Sequence, residues 1–488
     1  MRLKIKYLDL EAGRPVAFLH QNSAKSMNIH VGERIEVSAD REKALVVVDI
    51  VQGLVKENEI AFSNEITSYI KLKSGFVYVS PAFSPLSTRF IFKKLKAKEL
   101  NKEEIHSIIF DIVNNSLTEA EIAYFVSAVY ENGMSFKETY YLTEAMSNTG
   151  KKIKWDSNKI ADKHCIGGIP GNRTTPIVVS ICAVAGIVMP KTSSRAITSA
   201  SGTADVIETV AKVDLSLDEL KSVVKKTNAC LAWGGSLGLA PADDKLIRVE
   251  RLLNVDPEAQ LIASIISKKL SAGSKYILID IPYGEGAKVN LNEAKKLKEK
   301  FIKMGKKFRL KIYVVLTLGD QPIGNGVGPV LEMNDLLRVF KRENSPLDLE
   351  KKSLFLASKI LEMMGKAKKG KGLELASEIL ESGKAFEKFN EIINAQGRIN
   401  YNIGFAKHSL DIKATKSGKI KKIDNLLINN VSRILGCPID KQSGIYLYYH
   451  KRDSVKKGQT LLKLYSESRK KLDEATKFIK LNNPIKIE

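Results

Sequence analysis

Between residues 159 and 400, short apolar runs alternate with longer amphipathic stretches, and this alternation constrains the fold more than any other feature. Runs such as KYILIDIP (275–282) and KIYVVLTLG (311–319) have the length and composition of buried strands. Strands that alternate with helices are typical of an α/β domain built on a mostly parallel sheet. We therefore predict a large α/β domain over 159–240 and 273–400. A helical pattern at 241–272 interrupts it.

The spacing of apolar residues differs on either side of this region, which indicates further domains. Residues 1–84 contain short β-branched runs separated by polar turns, which predict a small β-rich N-terminal domain. Residues 85–158 have helical spacing and predict a helical domain, to which 241–272 returns. Residues 401–488 combine short β runs with helices and predict a C-terminal α+β domain. The fold class is thus multidomain α/β, in agreement with a chain length that favours about two to four domains.

One helix start in the helical domain is predicted more closely than the others. Ser116 is followed three residues later by Glu119, just before an apolar run with helical spacing. A Ser or Thr followed at this distance by Glu is typical of a capping box, in which both side chains bond the first free backbone N–H groups. We therefore predict a capping box at these two residues.

The charge of the chain limits the class of partner. The chain has 78 Lys and Arg residues against 55 Asp and Glu residues, which gives a net charge of +23. Such an excess fits a nucleic acid, an anionic small substrate, or a hot or salt-rich cytoplasm. A nucleic-acid surface would interleave basic with aromatic residues, and aromatic residues make up only 7% of the chain. We therefore expect no nucleic-acid partner.

Cysteine spacing and hydropathy exclude several other classes. The four cysteines are far apart and form no CxxC pair, so they indicate neither a zinc site nor a disulfide framework. The first ten residues are charged and do not have the pattern of a secretory leader. The longest uncharged apolar stretch, from Ile177 to Met189, is too short to span a bilayer. We expect a cytoplasmic protein with no membrane partner and no metal.

Two glycine-rich, hydroxyl-rich segments point to an oxyanion site. The first, DKHCIGGIPGNRTT (162–175), carries a lysine, several glycines and two threonines before an apolar helix. The second, KTSSRAITSASGTADVIE (191–208), crowds hydroxyl side chains and an arginine around a glycine. Backbone N–H groups of such turns bind phosphate. Tight packing and helix capping explain glycine and hydroxyl residues equally well at single positions, but not at this density.

Two other motifs carry less weight. GKAKKGKG (365–372) resembles a Walker A loop but ends in glycine where a hydroxyl must bind magnesium, and it follows a helix. GGSLG (234–238) resembles a nucleophile elbow, yet no suitable histidine pattern follows it. We interpret the first as a basic connector, and we do not expect an esterase from the second.

The motifs together resemble those of the thymidine/pyrimidine-nucleoside phosphorylase family. SSRAITSASGTADVIE (193–208) is similar to the family signature, and DKHCIGG (162–168) is similar to its phosphate loop. LAPADDK, LIASIISKKLSAGS, ILIDIPYGEGAKV and LGDQPIGNGVGPVLE extend the match in order to residue 332. The residues of these motifs and the β-rich N-terminal region resemble those of the archaeal AMP phosphorylase branch. A phosphoribosyltransferase related to the anthranilate enzyme is a more distant match.

The resemblance implies an activity and an architecture. It implies the phosphorolysis of AMP, with CMP and UMP as further substrates, to free base and ribose 1,5-bisphosphate in nucleotide salvage. Inorganic phosphate is then a co-substrate, and no cofactor is needed. A cleft between the helical and α/β domains and a homo-oligomer, a dimer or larger, are also implied. The alternative is a pyrimidine-nucleoside phosphorylase.

The resemblance also implies roles for individual residues. Those implied to bind inorganic phosphate are Lys163, Thr175 or its neighbour Thr174, Ser193 and Thr203. Those implied to bind the nucleotide are Gly168, Ser194, Arg195, Ala196, Ile197, Thr198, Ser199, Thr203, Ser264 and Lys288. Asp256 is implied to be the catalytic proton donor to the base. From the residues alone, Asp256 before Pro257 favours a helix N-cap, and an exposed loop lysine is the alternative for Lys163 and for Lys288.

Three positions depart from the family pattern. Pyrimidine-specific relatives have an arginine seven residues before the aspartate, where this chain has Val249, so a different base preference is expected. Cys165 stands where serine is frequent, which weakens one hydroxyl contact to phosphate because a thiol is a poor donor. Ser201 stands where glycine or alanine is usual.

Overall fold

The computed structural model describes residues 1–39, 42–67, 75–196, 199–399 and 404–488. The chain divides into two compact units. The first comprises residues 1–150 and 240–264, and the second comprises residues 151–239 and 265–488. In the described ranges, no helix combines the length and the apolar composition that a membrane crossing requires.

The first unit begins with a closed β-barrel. Its strands are β1 (Arg2–Lys6), β2 (Val16–His20), β3 (Arg34–Ala39), β4 (Glu42–Val51), β5 (Glu59–Phe62) and β6 (Phe76–Pro81), with short helices α1 (Gln21–Ser26) and α2 (Asn64–Thr67). The strand order is β1-β5-β2-β4-β3-β6, and β6 closes the barrel by pairing antiparallel with β1. Alternate residues such as Leu3 and Ile5 point into the buried core.

Four helices follow the barrel. They are α3 (Ser87–Leu95), α4 (Lys102–Val113), α5 (Glu119–Asn132) and α6 (Phe136–Asn148). Capping boxes start the last three, and the box of α5 joins Thr118 and Glu121. The capping box predicted at Ser116 and Glu119 is therefore wrong by two residues. Ser116 precedes the true N-cap, and Glu119 is already the first helical residue.

The second unit opens with the first half of an α/β fold. Its elements are β7 (Ala161–Cys165), α7 (Thr174–Val184), β8 (Met189–Ser193), α8 (Thr203–Ile207), α9 (Leu217–Thr227) and β9 (Ala229–Trp233). A single turn of 3₁₀-helix (Gly235–Leu237) follows β9. Helix α7 is apolar on all sides and buried, which explains why its sequence shows no helical period. GGSLG contains this 3₁₀ turn.

The chain then returns to the first unit. Helix α10 (Pro241–Leu253) packs in the same apolar cluster as α3 to α6. Helix α11 (Glu258–Ser271) begins in the first unit, which ends at Ser264.

The second half of the α/β fold completes a parallel sheet. Its elements are β10 (Tyr276–Tyr283), α12 (Leu291–Lys307), β11 (Lys311–Leu318), β12 (Gly326–Val327), α13 (Pro329–Lys341), α14 (Leu347–Met363), α15 (Gly372–Glu381) and α16 (Lys384–Ala395). Strands β11-β10-β7 pair in parallel, β8 pairs in parallel with β9, and Ile160 bridges Val188. GKAKKGKG connects α14 to α15, as predicted for a basic connector.

The C-terminal part is α+β. Its elements are β13 (His408–Lys413), β14 (Gly418–Ile423), α17 (Asn425–Leu435), β15 (Gly444–Leu447), β16 (Ser454–Val455), β17 (Thr460–Ser466), α18 (Arg469–Leu481) and β18 (Ile485–Ile487). Two small sheets, β12-β15-β17-β13 and β16-β14-β18, enclose a core with α17 and α18. Strand β12 lies in the α/β region of the sequence, but it forms the edge strand of the four-stranded C-terminal sheet.

Candidate anion and nucleotide site

Lys163 lies on β7 and is buried, with only 1% of its surface exposed. Its Nζ donates to Thr174 Oγ1 at 2.8 Å and to Thr175 Oγ1 at 3.3 Å, at the first residues of α7. No carboxylate in the described residues forms an ion pair with it, and burial lowers the pKa of its ammonium group. A buried cation held only by hydroxyl groups is poised to bind an anion.

The loop between β7 and α7 depends on glycine. Gly171 has φ +68, and a Cβ there would lie 2.2 Å from the carbonyl oxygen of Ile323, so no side chain fits. Gly168 has φ +89, and a Cβ there would lie 3.0 Å from Lys288 Cγ. Lys288 therefore lies against this loop.

The second predicted segment presents further hydroxyl groups. Ser193 ends β8, and its Oγ is buried without a hydrogen-bond partner in the described part of the chain. A Cβ on Gly202 would lie 2.4 Å from the carbonyl oxygen of Ser194, so the turn brings Thr203 close to the start of the segment. Ser194 is exposed, Ala196 and Ser199 are partly buried, and Ile197 and Thr198 lie outside the described residues.

Arg173 joins the two segments and was not singled out from the sequence. Its Nη1 donates to Thr203 Oγ1 at 3.0 Å, and its Nη2 donates to the carbonyl oxygen of Ser201 at 2.9 Å. Its Nε pairs with the buried carboxylate of Glu332, which also accepts the Ser201 hydroxyl. The available signal was its place between the loop glycines and Thr174 in GNRTT.

This arrangement orients the hydroxyl protons. Thr174 Oγ1 accepts from Lys163, and Thr203 Oγ1 accepts from Arg173. Because each of these oxygens is already an acceptor, each hydroxyl proton is available for donation to another group. Oriented donors around a buried cation match the needs of a phosphate oxygen.

Arg195 is held by neighbouring acids. Its guanidinium donates to Glu208 at 2.6 and 2.7 Å and to Asp205 at 3.2 Å, and it lies 4.8 Å from the ring centre of Trp233. The hydrogen bond from Arg195 is the largest of the effects that lower the pKa of Glu208 to about 2, and Lys441 adds to it. A ligand phosphate at Arg195 has to share the guanidinium with these carboxylates.

A second buried charge cluster lies beside Lys163. Asp162 accepts from Lys269 Nζ at 2.7 Å, and Lys191 Nζ lies 3.5 Å from its other oxygen. Burial lowers the pKa of Lys269 to about 7. Burial also holds the pKa of His164 well below its usual value, so this ring is neutral.

The remaining predicted residues belong to the first unit. Asp256 is exposed and lies two residues before α11, so it does not occupy the position directly preceding the helix. Ser264 lies within α11. Val249 is buried in the apolar core of the helical part, where α10 packs.

Comparison with family models divides the chain in the same order as the fold. Residues 88–150 match the helical bundle domain of a glycosyl transferase family, and residues 157–386 match the α/β domain of that family. Residues 419–487 match the pyrimidine nucleoside phosphorylase C-terminal domain. These matches confirm the helical, α/β and C-terminal parts of the predicted fold class.

Curated relatives cover the whole chain. An AMP phosphorylase from Pyrococcus furiosus is 43% identical over 100% of this chain and 98% of its own length. Those from Thermococcus kodakarensis and Methanococcus aeolicus are 42% and 39% identical over 100% of this chain and 98% and 97% of theirs. Among solved structures, anthranilate phosphoribosyltransferase from Thermus thermophilus has a similar fold. Its TM-score is 0.53 at 16% identity, and the match covers 63% of this chain and 98% of that one. Full-length identity at this level establishes that the chain belongs to the AMP phosphorylase family of pentosyltransferases.

Proposed function

We propose that this protein cleaves AMP with inorganic phosphate into adenine and ribose 1,5-bisphosphate. An oxygen of hydrogen phosphate forms a bond to C1′, while the bond from C1′ to the adenine nitrogen breaks and its electron pair leaves with the base. Hydrogen phosphate loses one proton overall and adenine gains one, so the acid that serves the base is restored in each turnover. The reaction balances without a cofactor, and phosphate is a co-substrate.

The observation that carries the proposal is the environment of Lys163. Its buried ammonium group contacts the Thr174 and Thr175 hydroxyls and forms no ion pair with a carboxylate in the described residues. The buried Ser193 hydroxyl and Thr203 add two donors. We assign inorganic phosphate to these residues, since a bound dianion satisfies both the cation and the free hydroxyl protons.

We assign the nucleotide to the neighbouring loops. Gly168 and Lys288 lie together, and an ammonium group on a glycine-rich loop is suited to a 5′-phosphate. Segment 194–199, Thr203 and Ser264 complete the nucleotide set on the strength of the family resemblance. CMP and UMP are proposed as further substrates.

Asp256 is proposed as the proton donor to the departing base. A carboxylic acid performs this role when its surroundings keep it protonated until the bond breaks. Val249 supports a base preference different from that of pyrimidine-specific relatives, because a buried aliphatic side chain stands where they have an arginine. The pyrimidine-nucleoside alternative is also disfavoured by relatives that are named AMP phosphorylases.

Several wider features are proposed with this function. The domains are proposed to run over 1–84, 85–158 with 241–272, 159–240 with 273–400, and 401–488, and the closed barrel of β1 to β6 supports the first. A cytoplasmic homo-oligomer, a dimer or larger, is proposed from the family resemblance. Light scattering measures the oligomeric state directly.

The test is base release from AMP, CMP, UMP, adenosine, uridine and thymidine, each with and without phosphate and after treatment with a chelator. We expect phosphate-dependent, chelator-resistant adenine release from AMP and little from adenosine. Asp256→Asn is expected to remove it, with Asp218→Asn on α9 as a matched surface control. Turnover of uridine or thymidine without preference for a 5′-phosphate would overturn the proposal.

A further inference from the structure

Helix α17 in the C-terminal part carries a polar stripe beside its apolar residues. Asn425, Asn429 and Arg433 are spaced by four residues, so they lie along one face. On the other side, Ile428 and Val431 pack in the C-terminal core. Buried amides are costly unless they are hydrogen-bonded, so the partners of this stripe identify what it is for.

Asn425 contacts the loop that contains Lys288. Only 1% of its surface is exposed, and its Nδ2 donates to the carbonyl oxygens of Gly286 at 3.2 Å and Gly319 at 3.0 Å. Lys422, just before the helix, forms an ion pair with Glu285 at 2.7 Å. The start of α17 therefore fixes the backbone of the loop at residues 284–289.

Asn429 contacts the other nucleotide loop. It is 3% exposed, and its Oδ1 accepts from the backbone N–H of Ala200 at 2.9 Å. One turn further on, Arg433 Nη2 lies 3.5 Å from the carbonyl oxygen of Ser199. The middle of α17 thus fixes the end of segment 194–199.

We propose that α17 is a positioning element that holds the two nucleotide-binding loops in register. The inference rests on the proposed function, since it takes both loops to contact AMP. Each amide has a distinct chemical role: Asn425 is required as a donor and Asn429 as an acceptor. A helix that only completed the C-terminal core would not need this pair, because apolar residues would fill the same space more favourably.

The chemical asymmetry provides the test. Asn425→Ala and Asn429→Ala are each expected to raise KM for AMP about tenfold, the effect of losing a buried hydrogen bond. KM for phosphate should stay within about twofold, because Lys163 and Thr174 are held by their own contacts. Asn429→Asp keeps an acceptor and should largely restore KM for AMP, whereas Asn425→Asp loses the donor and should not.

Asn430→Ala is the matched control. It lies on the same helix, and in the described residues it has no hydrogen bond to either loop. Melting temperatures of all variants are recorded beside the kinetics. Lys288→Ala is combined with Asn425→Ala, because a residue that acts through the Lys288 loop adds little once Lys288 is absent.

The outcomes separate the two proposals. Normal wild-type turnover of AMP with an unchanged KM in both alanine variants would overturn the positioning role alone. Equal rises in both KM values, matched by Asn430→Ala, would also overturn it, because this pattern is a general loss of stability. Absence of AMP turnover in the wild type, or no effect of Lys288→Ala on AMP, would instead overturn the proposed function or the loop assignment.

Discussion

Strand β7 places two opposite charges side by side in different surroundings. Asp162 is completely buried and is matched by two lysines, Lys191 and Lys269. Lys163, the next residue, is equally buried, and within the described residues its ammonium group donates hydrogen bonds to the hydroxyls of Thr174 and Thr175 and forms no ion pair. Successive side chains of a strand point to opposite faces of the sheet, so one strand serves both environments.

The difference separates a structural charge from a charge kept for a ligand. The Asp162 carboxylate forms ion pairs with two lysines of the same chain, so its role is to hold β7, β8 and α11 together. The Lys163 ammonium group is buried and forms no ion pair in the described residues, so burial lowers its pKa although the charge of Asp280 opposes this shift, and the buried charge weakens the folded state. This loss of stability is offset when an anion binds to the folded protein.

The largest expected effect comes from removing the unmatched charge. Lys163→Met should lower kcat/KM for phosphate by about 10³-fold, the order found for losing one group that stabilises a reacting anion. It should not lower the free energy of unfolding, because burial already disfavours the Lys163 cation. Steady-state kinetics at varied phosphate and urea denaturation measure the two effects.

Lys159→Met is the control for this variant, since Lys159 is exposed and lies two residues before β7. It should change neither quantity. Two results would contradict the claim that Lys163, unlike Asp162, is kept for a ligand. One is a Lys163→Met protein whose kcat/KM stays within about tenfold of the wild type, and the other is a variant that unfolds much more readily.

Asp162→Asn should show the reverse pattern in stability. It leaves Lys191 and Lys269 buried without a carboxylate, and breaking a buried ion pair in this way costs about 3–5 kcal/mol. Denaturation followed by circular dichroism measures the loss. The double variant Asp162→Asn/Lys269→Met should recover part of it, because one unpaired cation is gone. A loss below about 1 kcal/mol would show that the cluster is not structural.

Local sequence patterns predicted the helices and strands better than they predicted which strands pair with each other. The alternation over 159–400 predicted strands and helices because each signal lies within a few residues. The barrel order β1-β5-β2-β4-β3-β6 and the edge strand β12 of the C-terminal sheet depend on pairings between distant segments. No period in the sequence records such pairings. The misplaced capping box has a local cause, because Ser116 and Thr118 both precede a suitable glutamate.

The same distinction holds in the candidate site. The glycine and hydroxyl density predicted an oxyanion site, and the resemblance added Lys163, which the structure places on a buried strand and not in an exposed loop. Arg173 was missed because its role depends on Glu332, 159 residues away, and on Ser201, 28 residues away. The stripe on α17 was missed for the same reason.

The pH dependence of stability tests the lowered pKa of Lys269 in the Asp162 cluster. Burial lowers the pKa of Lys269 to about 7, whereas a lysine in the unfolded chain titrates near 10.4. Between these values the unfolded state binds more protons, so the contribution of Lys269 to stability rises with pH, by at most about 1.4 kcal/mol per pH unit. Urea denaturation at pH 7.5 and 9.5 should show the wild type gaining stability relative to Lys269→Met. A flat or falling difference would contradict the lowered pKa.

The smallest expected effect tests whether the proposed phosphate site lacks a hydrogen-bond donor at Cys165. Cys165 ends β7, and its Sγ accepts from Asn172 Nδ2 at 3.4 Å. Burial raises the pKa of its thiol, so the group stays neutral and is a weak donor. A hydroxyl donates more strongly, so Cys165→Ser should lower KM for phosphate about twofold to fivefold with kcat little changed. Cys182→Ser, buried in the apolar core of α7, is the control and should reduce stability without changing KM for phosphate. If Cys165→Ser raised KM, the thiol would be a packing group beside a site whose donors are already complete, and Lys163 with its threonines would suffice for the anion.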